Sequence, residues 1–237
     1  MRAAANGRPA PNPCARERYT DKPITFILSH FHYDHIYDAA KFDRVILIDR
    51  PEIRANIRDD SYSISAMESV DAEMPPLKVA GVIADGDVIE LGGCRLDMLN
   101  LPGHTTESVV LIDRVANQSF TGDFVYQHLG GIIAFAPTSD LTAYKANSTR
   151  LLQLTNADTM FFGAHGIPRF ARDWLMLLDT ELGKIAKGEA NYRYVTHYLV
   201  PAIPWHVHQN ATCTSTPHPW SIRHYSGPNG RSWYWLS

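Results

Sequence analysis

The chain has 237 residues, 45% of them hydrophobic and 20% charged, the composition of a globular protein and not of a disordered one. Twenty-two basic against 25 acidic residues leave a formal net charge of −3, which argues against a broad electrostatic footprint for nucleic acid or an anionic membrane, and no apolar run approaches the ~18 residues of a membrane span. Three scattered cysteines, Cys14, Cys94 and Cys213, cannot build a disulfide framework and fit a reducing compartment, so the expected setting is cytoplasmic, with neither nucleic acid nor membrane as partner.

Residues 1–20 are rich in Ala, Pro, Arg and Asn with no apolar period, and read as a loose leader that lacks the apolar stretch of a secretion signal. A domain over 21–200 follows. Ile24–Leu28 and Val45–Ile48 are strand candidates, as is Lys78–Ala84. Asp85-Gly86 predicts a tight turn between two strands, and Gly92-Gly93 predicts another. Cys94–Leu101, Val109–Ile112 and Gln118–Thr121 continue the series, and Asp158–Phe162 reads as a short buried strand. Ser139 and Asp140 can cap a helix in which Leu141, Tyr144, Ser148, Leu151 and Leu152 share a face. Phe170, Trp174, Leu177, Leu178, Glu181 and Ile185 share another, despite Gly183. Strands mixed with covering helices predict a layered α/β fold.

Residues 201–237 differ. They hold four of the five tryptophans, two arginines and no acid, and show neither a helical nor a strand period. A shifted reading frame, a natural extension and an unusual packed segment are all open for this atypical tail, as is disorder. Its His206, His208, Cys213, His218 and His224 match no ligand spacing and read as incidental.

The chemistry is concentrated in Ser29-His30-Phe31-His32-Tyr33-Asp34-His35, directly after an apolar strand. Chance supplies H-x-H-x-D-H in a chain of this composition roughly twice in a thousand. His30 and His32, two apart in extended chain, point to one side. Asp34 and His35 follow where the chain leaves the strand. Three imidazoles and a carboxylate suit a borderline metal such as zinc. Further potential ligands recur at predicted strand ends, each beside a glycine that lets the backbone bend sharply: His104 in Pro-Gly-His-Thr, Asp123 in Thr-Gly-Asp, and His165 in Gly-Ala-His-Gly. An ordinary turn origin must then account for four separate strand ends.

In their order and composition these four motifs resemble the metal motifs of the metallo-β-lactamase-fold hydrolases, over about residues 22–190. The resemblance implies an α/β fold, the αβ/βα sandwich, with metals held by loops at one edge. It implies one metal on His30, His32 and His104 and a second on Asp34, His35 and His165, with Asp123 bridging. Two zinc ions per chain are the expected cofactors, with iron or manganese as substitutes. The segment Asp85–Gly92 and Gly122–Tyr126 look most like the glyoxalase-II-like and acyl-thioesterase branches. Family members usually carry several strands before the first His motif, whereas only 29 residues precede His30 here. The expectation is an incomplete N-terminal half-sheet, with an exposed edge that an oligomer would cover.

The implied reaction is attack of a metal-bridging hydroxide on an ester, thioester or lactone carbonyl of a small acyl substrate, with Asp34 or Asp123 orienting the nucleophile. Tyr126 is a candidate oxyanion donor, weighed against a half-buried packing role. Ser29 and Thr105 are candidate hydrogen-bond partners of the ligands, and His128 reads as mobile surface. β-Lactamase activity is a weaker expectation in the absence of an export signal. A non-catalytic metal-binding fragment and an iron-dependent sulfur dioxygenase are the alternatives.

Overall fold

A computed structural model describes residues 24–69, 73–127, 132–134, 138–189, 222–226 and 232–236. The expected leader, His128, and most of the tail, with the side chains of all five of its His and Cys residues, lie outside these. Among the described residues, no helix is long and apolar enough to cross a membrane.

The predicted strands all form, as β1 (Thr25–Ile27), β2 (Arg44–Ile48), β5 (Leu77–Ile83), β7 (Arg95–Asn100), β8 (Val109–Asp113), β9 (Gln118–Gly122) and β11 (Met160–Gly163). Four shorter ones join them: β3 (Ile57–Arg58), β4 (Ser61–Tyr62), β6 (Val88–Glu90) and β10 (Ile132–Ala134). All but β10 assemble into one five-stranded sheet of order β1-β2-β5-β4-β3 and another of order β11-β9-β8-β7-β6. In the first, β1, β2 and β5 run parallel; in the second, only β11 is parallel to its neighbour. Among the described residues β1 stands at one edge of its sheet.

The period-two alternation of β7 and β8 divides their side chains between two cores. The short helices α1 (Tyr33–Ile36), α2 (Pro51–Arg54) and α3 (Ala66–Ser69) precede two long ones, α4 (Leu141–Leu154) and α5 (Asp173–Ala186), with which Leu99, Val110 and Ile112 pack through Tyr144, Leu151, Leu175, Leu178 and Leu182. Met98 and Val109 face the other way and pack with Val45, Leu47 and Leu77 of the first sheet. A sheet buried on both faces and covered by helices is the layered arrangement that the sequence predicts. Asp140 caps α4, its carboxylate accepting from the amides of Thr142 and Ala143. Ser139, the other expected cap, has a different task, described below. The second predicted helix begins only at Asp173; Phe170 pairs its backbone with Phe161 on β11 instead.

Two features are not visible in the sequence pattern. Asp85-Gly86 does turn the chain, with Gly86 at φ 90°, but β5 and β6 belong to different sheets. The turn is held toward β7, the Gly86 amide donating to the Met98 carbonyl and the Asn100 amide to Asp85 Oδ1. It is a crossing point between layers and not a hairpin. The tail also contains regular backbone: β12 (Ile222–Ser226) and β13 (Ser232–Leu236) form an antiparallel pair, and β13 adds to β10. Aromatic-rich segments favour such pairing even where no alternation of polarity announces it. Gly92-Gly93 turns β6 into β7 as expected, both residues at positive φ.

Candidate metal centre

Each expected ligand stands just beyond a strand. The chain leaves β1 in extended form through His32 (φ −61°, ψ 141°) and enters a single helical turn, α1 (Tyr33–Ile36). Two-residue spacing puts His30 and His32 on one side, with ring centroids 4.6 Å apart. The helical turn then folds Asp34 and His35 back toward them. His104 follows β7, Asp123 follows β9 and His165 follows β11.

These seven side chains converge. His30, His32, His104 and Asp123 form one buried group with their ligand atoms mutually within 4.8 Å, and Asp34, His35 and His165 form a second. His104 Nε2 lies 3.0 Å from His32 Nδ1, and His35 Nε2 lies 3.3 Å from His165 Nε2. Asp123 touches both groups. Its Oδ2 is 3.5 Å from His104 Nε2 and 3.2 Å from His165 Nε2, while Oδ1 is 3.3 Å from His35 Nε2. The second group is the open side: the side chains of Asp34 and His165 are each 38% exposed.

The electrostatics follow the burial. Desolvation, reinforced by neighbouring imidazoles, holds His30 and His32 well below the usual histidine range, so both are neutral at pH 7, the form that can coordinate. Burial alone would raise the Asp123 carboxyl, but hydrogen bonds from His165 and His35, with electrostatic attraction to the neighbouring His104 and His30 imidazoles, outweigh it and hold it well below the carboxylate range. The same balance, with His165 as main donor, lowers Asp34. His165, hydrogen-bonded to Asp123 and then to Asp34, is pushed up to about 10. Without metal, His165 therefore carries a proton at neutral pH and stands as a cation beside the two carboxylates. His30 Nε2 is buried with no hydrogen-bond partner, an arrangement that costs about 1–3 kcal/mol unless something else satisfies the atom. A divalent cation between these nitrogens and carboxylates would do so, and mixed imidazole and carboxylate donors suit zinc.

The loops are locked to one another. The glycines of the motifs are where neighbouring segments pass. A Cβ on Gly103 would stand 2.5 Å from Tyr144 Cγ, and one on Gly163 would stand 2.5 Å from Tyr126 Cβ. Gly122, at φ +52°, meets Ser29, whose hydroxyl lies 3.1 Å from His30 Nδ1. Ser139 donates to the His104 carbonyl at 2.6 Å, and Asn147 to the Pro102 carbonyl. The Tyr144 hydroxyl donates to the Phe124 carbonyl, so one buried side chain of α4 braces both the His104 and the Asp123 turns. Thr105, instead of reaching a ligand ring, bonds Ser108 through its hydroxyl and amide. Tyr126 is 1% exposed within the core, its ring edge-on to His165 at 5.3 Å. The sequence shows Tyr144 only as a residue of an apolar helix face, and its one sign of Glu107, which is 4% exposed and accepts from the Phe31 amide, is a glutamate three residues beyond His104.

Similarity to known proteins now assigns the family. The family model described as the metallo-beta-lactamase superfamily matches residues 7–173. The chain belongs to this superfamily. It is 29% identical over 184 residues to the acyl-coenzyme A thioesterase MBLAC2 of Bos taurus, an alignment covering 68% of this chain and 65% of that protein. It is 26% identical over 149 residues to the hydroxyacylglutathione hydrolase GloC of Haemophilus influenzae, covering 59% of this chain and 67% of that one. This superfamily member thus spans about 65% of the length of the bovine relative. Among solved structures, a superfamily protein from Sulfolobus tokodaii, ST1585, matches with a TM-score of 0.52 at 17% identity, over 77% of this chain and 73% of its own. The metallo-beta-lactamase from Pontibacter korlensis matches with a TM-score of 0.51 at 18% identity, over 69% and 71%. At such identities these two likenesses show the fold alone.

Proposed function

We propose that the chain is a metal-dependent hydrolase of acyl thioesters that holds two zinc ions, one on His30, His32 and His104 and one on Asp34, His35 and His165, with Asp123 shared. The observation that carries this reading is the convergence of five imidazoles and two carboxylates around the buried His30 Nε2, which has no hydrogen-bond partner among the described residues. Ions bound there supply Lewis acidity and lower the pKa of water to about 7.

The residues of the chain do the rest. The buried group, sealed from solvent, fixes the three imidazoles of His30, His32 and His104 and the Asp123 carboxylate. The half-exposed Asp34 and His165 mark the side from which a substrate arrives. Asp34, ionised at neutral pH, is the solvent-side carboxylate able to accept a proton, and Asp123 orients both ligand sets. Tyr126 serves as packing that fixes the His165 ring. Such preorganised charge at the reacting centre is the main source of rate in this kind of chemistry. The thioester is favoured because the bovine relative is named an acyl-coenzyme A thioesterase.

The test is release of free thiol from a panel of acyl-coenzyme A substrates, run beside a plain ester and a lactone. Hydrolysis of the thioesters that stops on chelation and returns with zinc supports the proposal. Folded, metal-loaded protein that releases no thiol overturns it, and turnover of the lactone alone reassigns the substrate.

A further inference from the structure

We propose that Glu107 is a positioning residue that ties the His30–His32 segment to the His104 turn and thereby sets the spacing of the three imidazoles at the buried site. Its Oε1 accepts the amide of Phe31 at 3.1 Å, and Phe31 is the residue between His30 and His32. Its Oε2 accepts the Thr106 hydroxyl at 3.1 Å, so the carboxyl is oriented from its own turn while it grips the other.

A buried carboxyl is costly unless its oxygens are met, and burial raises the pKa of this one. The cost is understandable if the bond it makes has a structural task. Two residues on, the Val109 amide donates to the Ser29 carbonyl at 2.8 Å. The segment before α1 is thus held to the His104 side at two successive points, Ser29 by backbone and Phe31 by the Glu107 side chain. The Phe31 ring, 1% exposed and stacked on Tyr62 at 5.0 Å, anchors the opposite side of the same residue. Rotation of the peptide units between His30 and His32 would break the Glu107 bond, so the bond fixes the directions in which the two imidazoles leave the chain. Partners that orient ligands in this way typically control metal affinity by 10–100-fold.

The inference rests on the metal-binding part of the proposed function and not on the substrate. Its test is metal affinity, measured by competition between the protein and a chromophoric chelator for zinc, together with the visible spectrum of the cobalt(II)-loaded protein. Glu107→Gln keeps an oxygen acceptor at the same reach and is expected to bind within about threefold of the unaltered chain. Glu107→Met keeps the length without the acceptor and is expected to bind about 10–100-fold more weakly, with an altered cobalt spectrum. A folded Glu107→Met protein with unchanged affinity and spectrum overturns the proposal, as does a loss in Glu107→Gln as large as in Glu107→Met. If Glu107→Met does not fold, hydrogen exchange of the Phe31 amide in the unaltered chain decides: strong protection is expected, and exchange at the rate of an open loop overturns the tie. Failure of the unaltered chain to hydrolyse thioesters refutes the substrate assignment while leaving these affinities to be read.

Discussion

Replacing Gly103 by alanine places a methyl group where the structure has no room. The added Cβ would lie 2.5 Å from Tyr144 Cγ, 2.6 Å from Cδ2 and 2.7 Å from Cα, against ordinary carbon contacts of about 3.5–4.0 Å. The ring cannot swing aside, because it is fully buried and its hydroxyl is bonded to the Phe124 carbonyl; the Cα belongs to the backbone of α4. An overlap of about an ångström against such neighbours belongs at the upper end of the roughly 1–3 kcal/mol cost of overpacking. For a chain of this size that corresponds to a fall in Tm of about 6–12 °C. The strain can be relieved only by moving the His104 turn off α4, against the bonds from Asp140 to the Gly103 carbonyl and from Ser139 to the His104 carbonyl. Zinc affinity is therefore expected to drop by about tenfold or more. Calorimetry and chelator competition read both effects, with Gly81→Ala as control, since a Cβ there meets nothing within 4 Å. A Gly103→Ala protein that melts within about 2 °C of the unaltered chain and binds zinc equally well refutes the reasoning.

Metal binding must displace the proton that His165 carries at neutral pH, because its pKa without metal is pushed up to about 10. Calorimetric titration with zinc in buffers of different ionisation enthalpy should show proton release at pH 7–8; no buffer dependence would contradict the assignment. In the metal-free protein, His30 and His32 have lowered pKa values, so the unfolded state takes up protons first. Stability should fall as pH drops below about 6.5, and again below about 3.9, where the Asp123 carboxyl takes up a proton in the unfolded state before it does in the folded one. A Tm that rises on acidification from pH 7 to 5 would oppose this. Tyr126→Phe, which keeps the ring against His165, should retain kcat within about threefold; a loss of about a hundredfold or more, typical of a missing oxyanion donor, would restore the phenol to a catalytic role.

Much of this architecture could be read from residue order because the ligands sit at strand ends, and strand ends are marked by apolar runs stopping at glycine or histidine. The spacing of His30 and His32 conveys their shared side because a period of two is a local property. What the chain order hides is contact between distant segments. Nothing around Tyr144 shows that its hydroxyl reaches the Asp123 turn, and nothing around Ser139 shows that it serves the His104 carbonyl instead of the helix start. Asp59 and Asp60, both at positive φ, make the β3–β4 hairpin without the glycine that would have announced it. The turn expected at Asp85-Gly86 forms, but its partners are on β7, and a local pattern cannot say which sheet the next strand joins.

Counting bound metal is the most direct test of the centre. Protein refolded with excess zinc, desalted and assayed by mass spectrometry for metal against chain concentration should hold about two ions per chain, and Asp123→Ala, which removes the carboxylate common to both groups, should hold fewer. Unaltered, folded protein that retains no zinc, or an Asp123→Ala protein that retains as much as its parent, would contradict the account.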